Sequence, residues 1–364
     1  MKEMKTLTIG NETFKIVDEN AVRSYYSTTR EELSVTLGIE GATTNDVTSA
    51  AVWGLYDALM AKYPDRVQKN EIHNDDGTFT NYEYVISTGE YNTEGKYFGW
   101  TGVNGMDTHI KKPKYLVLSG IHGNEKHPII SVYRFVRDLV EGHNLPAQFR
   151  EGCVVRVLPI GNPYGLENNK RNTQNEVDPN RNFDWNFGKD QVSGNPPGDY
   201  AESEKETQAI ANWLKANQDA KVFFDCHIQG SDLNEVLQIF GIQDNEKCDA
   251  AKKIVMRGVE RVIPFWRDVV GYPEGTIFSS SNFIGEGGTA FGYAAEELNI
   301  PSLGIEVSAF QMGSTQEDLE EARSVITAET AAAGAEVIGN ALIEFYEQPI
   351  SEVIDMTETN EKMD

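Results

Sequence analysis

Lys114-Tyr115-Leu116-Val117-Leu118-Ser119-Gly120-Ile121-His122-Gly123-Asn124-Glu125 is the stretch from which the rest of the chain can be read. Lys114–Ser119 is a short apolar run that predicts a buried strand, and Gly120 closes it. A helical pattern follows over Pro128–Val140. His122 and Glu125 therefore stand at a strand-to-helix junction. If residues 124–126 open a helical turn, positions i and i+3 share a face and can hold one ion. Two imidazoles and one carboxylate, with water in the fourth position, form the ligand set of an open catalytic zinc site. The second imidazole must come from another strand end. His227 qualifies because it follows the apolar run Val222-Phe223-Phe224, and open α/β sheets bind ligands at the carboxyl ends of their strands. The bland alternative is a His-x-x-Glu pair on an ordinary surface helix. His127 is a competing ligand, although His73, His109, His127 and His143 all lie in polar stretches and are expected in solvent.

Between the two halves of this ligand set lie Asn162-Pro163-Tyr164-Gly165, then Lys170-Arg171-Asn172, then Asp178-Pro179-Asn180-Arg181-Asn182-Phe183-Asp184. An arginine fork recognises a carboxylate through two parallel hydrogen bonds. A neighbouring Asn adds another donor, and a second arginine can stabilise an oxyanion. Ordinary turn chemistry explains the Asn and Pro residues well, but explains two arginines in a very acidic chain less well. Further on, Ser302-Leu303-Gly304-Ile305-Glu306-Val307 is a near-continuous apolar strand carrying one carboxylate. Glu306 either faces solvent or pairs at the strand's end, or it is buried with a raised pKa, as a general base requires.

In this order the segments resemble the zinc carboxypeptidases related to pancreatic carboxypeptidase A, over roughly residues 50–348. The family's His-x-x-Glu motif matches His122 and Glu125, and its Asn-Pro-x-Gly turn matches Asn162–Gly165. Its Asp-x-Asn-Arg-Asn-aromatic segment matches Asp178–Phe183, and its late strand matches Glu306. The resemblance implies one zinc ion on His122, Glu125 and His227, with Glu306 as general base. It implies that Asn180 and Arg181 bind the substrate's terminal carboxylate and that Arg171 polarises the scissile carbonyl, Lys170 being a weaker substitute. The chain departs from the family at Ile228-Gln229, where Ser-Tyr is usual, and over Ile284–Thr289, where a capping tyrosine is expected.

The implied fold is α/β: a central mixed, largely parallel twisted sheet flanked by helices on both faces. Strands alternating with helices agree with it. The expected division is an N-terminal hairpin and extension over 1–45, a catalytic domain over 46–348 and an acidic tail over 349–364. The hairpin signal is Gly10-Asn11 between two short alternating runs. A helix is expected over Asp46–Tyr63 with Val47, Ala51, Leu55, Ala58 and Leu59 on its buried face. Ala201–Ala216, Glu246–Val262 and Thr315–Tyr346 read as further helices. Ser279-Ser280-Ser281 reads as a loop and Gly285-Glu286-Gly287-Gly288 as a hinge.

Composition narrows the partners. The 364 residues include 57 acidic and 32 basic side chains, a net charge of −25. That argues against nucleic acid and against an anionic membrane surface. Three cysteines without metal-type spacing predict buried thiols rather than disulfides. The first ten residues lack the apolar core of a secretory signal. The opening resembles the leading segment of some bacteriophage structural proteins from Gram-positive hosts, so the expected location is cytoplasmic or phage-associated. The expected substrate is a peptide or small amide with a free carboxylate. Two alternatives stand beside a peptidase. One is a zinc deacylase of N-acyl amino acids resembling aspartoacylase and succinylglutamate desuccinylase, suggested by Asp225-x-His227 and Asn162-Pro163. The other is a structural or binding component of a phage particle without turnover.

Overall fold

Apolar runs and the turns between them build the sheet that carries everything else. The computed structural model describes residues 6–9, 12–15, 31–89, 91–92, 110–143, 145–190, 194–228, 235–265, 277–283, 287–307, 326 and 328–347. About half of the 1–45 extension and the whole 349–364 tail lie outside the described residues. The strands are β1 (Thr6–Ile9), β2 (Glu12–Lys15), β3 (Val67–His73), β4 (Thr80–Ile86), β5 (Tyr91–Asn92) and β6 (Ile110–Lys111). They continue as β7 (Lys114–Ser119), β8 (Val154–Leu158), β9 (Val222–His227), β10 (Glu235–Ile242), β11 (Ile277–Phe283) and β12 (Ser302–Val307). β1 and β2 pair antiparallel with Ile9 opposite Glu12, the register a two-residue connection at Gly10-Asn11 requires.

Eight strands form one sheet in the order β11-β10-β12-β9-β7-β8-β4-β3. β12, β9, β7 and β8 run parallel in its middle, and β10 and β4 join that block antiparallel on either side. The sheet is thus mixed and largely parallel, as expected. Both faces are covered, which is why the central strands are predominantly apolar rather than alternating. Along β7, Tyr115 and Val117 enter one core cluster while Leu116 and Leu118 enter the other. The first cluster takes in the helices Ser49–Lys62, Lys126–Glu141, Glu246–Phe265 and Ala328–Glu347; the second takes in Lys205–Lys215 and Ala290–Glu296.

Several local expectations change. The first long helix spans Ser49–Lys62 behind a Thr48 cap, and its buried face is Val52, Tyr56 and Leu59 while Ala58 is exposed. Tyr56 sets that rotation by stacking on Tyr84 at 4.6 Å and meeting Tyr133 edge-on at 5.4 Å. The serine run expected as a loop lies in β11, an edge strand where small polar residues are tolerated because, among the described residues, one edge has no strand partner. The short helix Ala290–Glu296 has too few turns for a helical period to show, although Thr289 caps it. Helix Ala201–Ala216 begins only at Lys205. Of the expected 315–346 helix, the described part is Ala328–Glu347. All three cysteines are free and buried. No helix among the described residues is long and apolar enough to cross a membrane.

Candidate metal centre and substrate cleft

Three strand ends converge. β7 stops at Ser119, and Gly120 turns the chain at φ 63°. Glu125 then precedes the Lys126–Glu141 helix, with its N–H bonded to the His122 carbonyl oxygen at 3.1 Å. This tight turn brings the two side chains together. Gly123 inside it is obligatory, since a Cβ there would lie 2.0 Å from the Gly165 carbonyl carbon. The Asn162–Gly165 turn is locked in place when the Asn162 side chain accepts from the Gly165 N–H. On β9, Asp225 and His227 leave the sheet on one face because strand side chains alternate. β12 places Glu306 opposite His227 in register.

The Glu125 carboxylate lies between the two imidazoles: its Oε1 is 2.9 Å from His122 Nδ1 and its Oε2 is 3.0 Å from His227 Nδ1. Among the described residues these three side chains form the group whose donor atoms all lie within 4.8 Å of one another. The far ring nitrogens are held by carboxylates, His122 Nε2 by Asp178 at 3.1 Å and His227 Nε2 by Asp225 at 3.0 Å. A metal-ligating histidine needs such a partner to fix its tautomer and aim its lone pair. The donor set therefore fits a small dication that takes nitrogen and oxygen ligands. Burial pushes the Glu125 carboxyl up, but the two imidazoles more than offset it and hold it well below the usual carboxylate range. Burial would lower His227, yet Asp225 and then Glu125 drive it well above the usual imidazole range.

Contrary to expectation, His127 is buried on the Lys126–Glu141 helix, where it lines a small cavity with Ser131, Cys226 and His227, and it is not one of the three residues of the donor group. His73 and His143 are exposed as expected. His109 lies outside the described residues.

The polar segment packs over the metal ligands. Asp178 caps the short turn Pro179–Arg181, its Oδ1 accepting from the Asn180 N–H at 2.9 Å. Its Oδ2 accepts from Arg171 Nε at 2.9 Å, and Arg171 Nη1 reaches Glu125 Oε1 at 3.2 Å. Burial lowers the Arg171 pKa, but the Asp178 and Glu125 carboxylates outweigh it and raise it overall. Asn180 is pinned at both ends: Oδ1 accepts from the Ala290 N–H at 2.7 Å and Nδ2 donates to Asp225 Oδ2 at 3.2 Å. Arg181 Nη1 donates to the Asn180 carbonyl oxygen at 2.6 Å. Its backbone passes so close to Gly288 that a Cβ there would lie 2.0 Å from the Arg181 carbonyl oxygen, so this glycine makes a packed contact rather than a hinge. Lys170 is exposed and paired with Glu176.

His122, Glu125, Arg171, Asn180, Arg181, His227 and Glu306 all line one cleft of about 480 Å³, so the seven residues singled out in the sequence meet there. Burial raises the Glu306 carboxyl to about 7, the nearby His227 imidazole pulling against it. One wall is aromatic: Phe283 meets Phe240 edge-on at 6.0 Å and Phe291 at 5.1 Å, and all three line the cleft. Sequence reading gave this wall no role, because its rings come from three separate elements. It also gave Asp178 and Asp225 no part in holding the imidazoles; the signal for Asp225 was its place two residues before His227 on a strand. Part of the region where a capping tyrosine was expected, Ile284–Glu286, lies outside the described residues. Tyr293 is buried against Phe183 and Phe291 takes the position facing the cleft.

The family model described as zinc carboxypeptidase matches residues 54–342. The chain belongs to the zinc carboxypeptidase family. As a member of it, the protein is a metallopeptidase of carboxypeptidase type. Solved structures with the same fold include carboxypeptidase A from Helicoverpa armigera, 17% identical, with TM-score 0.60 over 87% of this chain and 80% of that one. A metallo-carboxypeptidase from Burkholderia cenocepacia is 16% identical, with TM-score 0.54 over 81% and 67%. Bovine thrombin-activatable fibrinolysis inhibitor, solved with tick carboxypeptidase inhibitor, is 15% identical, with TM-score 0.54 over 83% and 97%. A search of curated protein sequences found no match.

Proposed function

We propose that this carboxypeptidase-family chain hydrolyses a peptide or amide bond next to a free carboxylate, with one zinc ion held by His122, Glu125 and His227 and with Glu306 as general base. The supporting observation is the position of Glu306: it faces His227 across adjoining strands, in a cleft that also holds Arg171, Asn180 and Arg181. When bound, zinc supplies a Lewis acid that polarises the scissile carbonyl and lowers the pKa of water. Glu306 takes a proton from the attacking water at its carboxylate and returns it to the leaving nitrogen. Arg171, held by Asp178, offers N–H donors to the oxyanion that forms at the carbonyl. Arg181 and Asn180 bind the terminal carboxylate and so position the last peptide bond. No covalent intermediate is needed. The likeness of the opening residues to phage proteins carries no part of this proposal.

The test is zinc-dependent release of C-terminal residues from a mixed peptide library, run beside N-acyl amino acids. Peptide turnover that Glu306→Gln abolishes supports the proposal. Turnover of N-acyl amino acids alone points instead to a deacylase. Stoichiometric zinc with no turnover of either substrate class contradicts both.

A further inference from the structure

Each imidazole of the donor group is held by its own carboxylate, and each of those carboxylates also holds a side chain that lines the cleft. Asp178 joins His122 to Arg171. Asp225 joins His227 to Asn180, through one oxygen: Oδ2 lies 3.0 Å from His227 Nε2 and 3.2 Å from Asn180 Nδ2. Asn180 Nδ2 is itself 3.1 Å from that ring nitrogen, so the three groups form a closed triangle beneath the cleft.

We propose that Asp225 is a positioning residue that aims His227 at the metal and Asn180 at the substrate's carboxylate together, which couples the two binding events; this rests on the proposed carboxypeptidase reading. Three observations carry it. Asp225 is fully buried, and its other oxygen, Oδ1, has no hydrogen-bond partner among the described residues. A buried carboxylate oxygen without a partner is costly, so packing alone gives no reason for an acid here. Second, an anion at Nε2 keeps the ring proton on that nitrogen, which leaves Nδ1, 3.0 Å from Glu125, as the ligand atom. Third, the Asn180 amide cannot turn over. The Ala290 N–H fixes its oxygen, and Asp225 engages one of the two protons on its nitrogen. The second proton is left for a ligand in the cleft that Asn180 lines. Asp225 reaches both partners because it shares a sheet face with His227 and stands opposite Gly304, which has no side chain to intervene.

Two measurements test this on the full chain carrying Asp225→Ala, with Asp225→Asn as the milder variant. The first is zinc affinity by competition with a chromophoric chelator. The second is equilibrium binding of N-acetyl-Ala-Ala-Phe, and of its C-terminal amide, to zinc-saturated protein in a Glu306→Gln background, where no turnover interferes. Asp225→Ala is expected to lose roughly 10–100-fold in zinc affinity, as removal of a histidine's outer partner does. It should also bind the free acid at least fivefold more weakly while binding of the amide stays within twofold. Unchanged zinc affinity in a folded variant overturns the proposal, as does weakened zinc binding with acid binding unmoved. If neither variant folds, long-range proton–nitrogen spectra of the zinc-loaded unsubstituted protein decide: an Nε2–H proton on His227 supports it, and an Nδ1–H proton overturns it. A control protein that binds zinc and binds no peptide fails the carboxypeptidase proposal, while the zinc measurement still decides whether Asp225 holds His227.

Discussion

At the scale of the residue, two carboxylates in one cleft have opposite tasks, and their surroundings separate them. Glu125 sits between imidazoles and stays ionised, while Glu306, desolvated on its strand, is pushed up to about 7. The sign of the pH dependence follows. Glu306 must be deprotonated to accept a proton, so activity rises as pH passes upward through its pKa. A bound dication beside it stabilises the carboxylate and moves that limb below 7. A pH profile of kcat/KM is therefore expected to show an acid limb at or below 7. Glu306→Gln is expected to remove the limb and to lower kcat by about 10²- to 10⁴-fold, the range for losing a general base. Metal binding should also release protons: in the metal-free site Asp225 and Glu125 hold His227 protonated, and a ligand imidazole must be neutral. Zinc affinity is expected to fall as pH drops, which calorimetry in buffers of different ionisation heat will read. Arg181→Ala should weaken binding of free-carboxylate substrates by roughly 2–5 kcal/mol if it forms a buried charge pair with them. Equal loss on amidated peptides would contradict that role.

At the scale of the element, the site depends on backbones that pass at contact distance. The His122–Glu125 turn lies against the Asn162–Gly165 turn with no room for a side chain at Gly123. Gly123→Ala must push the two turns apart. It is expected to cost about 1–3 kcal/mol of stability, the usual cost of overpacking, and to lower zinc affinity because His122 and Glu125 move with the turn. Chemical denaturation and chelator competition would check the two effects. The strand ends bearing His227 and Glu306 were legible because each follows a short apolar run, Val222-Phe223-Phe224 in β9 and Leu303-Gly304-Ile305 in β12. The edge strand β11 was not legible, since a run of serines carries no apolar period. Nor was the rotation of the Ser49–Lys62 helix, because the stacking of Tyr56 on Tyr84 joins elements far apart in sequence.

At the scale of the whole molecule, one sheet with covered faces brings segments from residues 122 to 306 to a single rim. Five of the seven proposed site residues could be named from motifs in the right order, His227 from its place at a strand end and Arg171 from the family resemblance. Asp178, Asp225 and the aromatic wall could not be given roles, because their contacts exist only once the folded sheet brings the ends of β7, β9, β10 and β11 to one rim. Zinc that binds only the folded chain adds stability by mass action, about 2.7 kcal/mol at one hundred times its dissociation constant. Chelation is therefore expected to lower the thermal midpoint by several degrees and zinc to restore it; His227→Ala should abolish both responses. The most direct test is an anomalous difference map at the zinc edge from crystals grown with zinc. A single peak touching His122 Nδ1, Glu125 and His227 Nδ1 within the cleft that holds Glu306 is the expected result; a peak elsewhere, or none at these three side chains, would contradict the account.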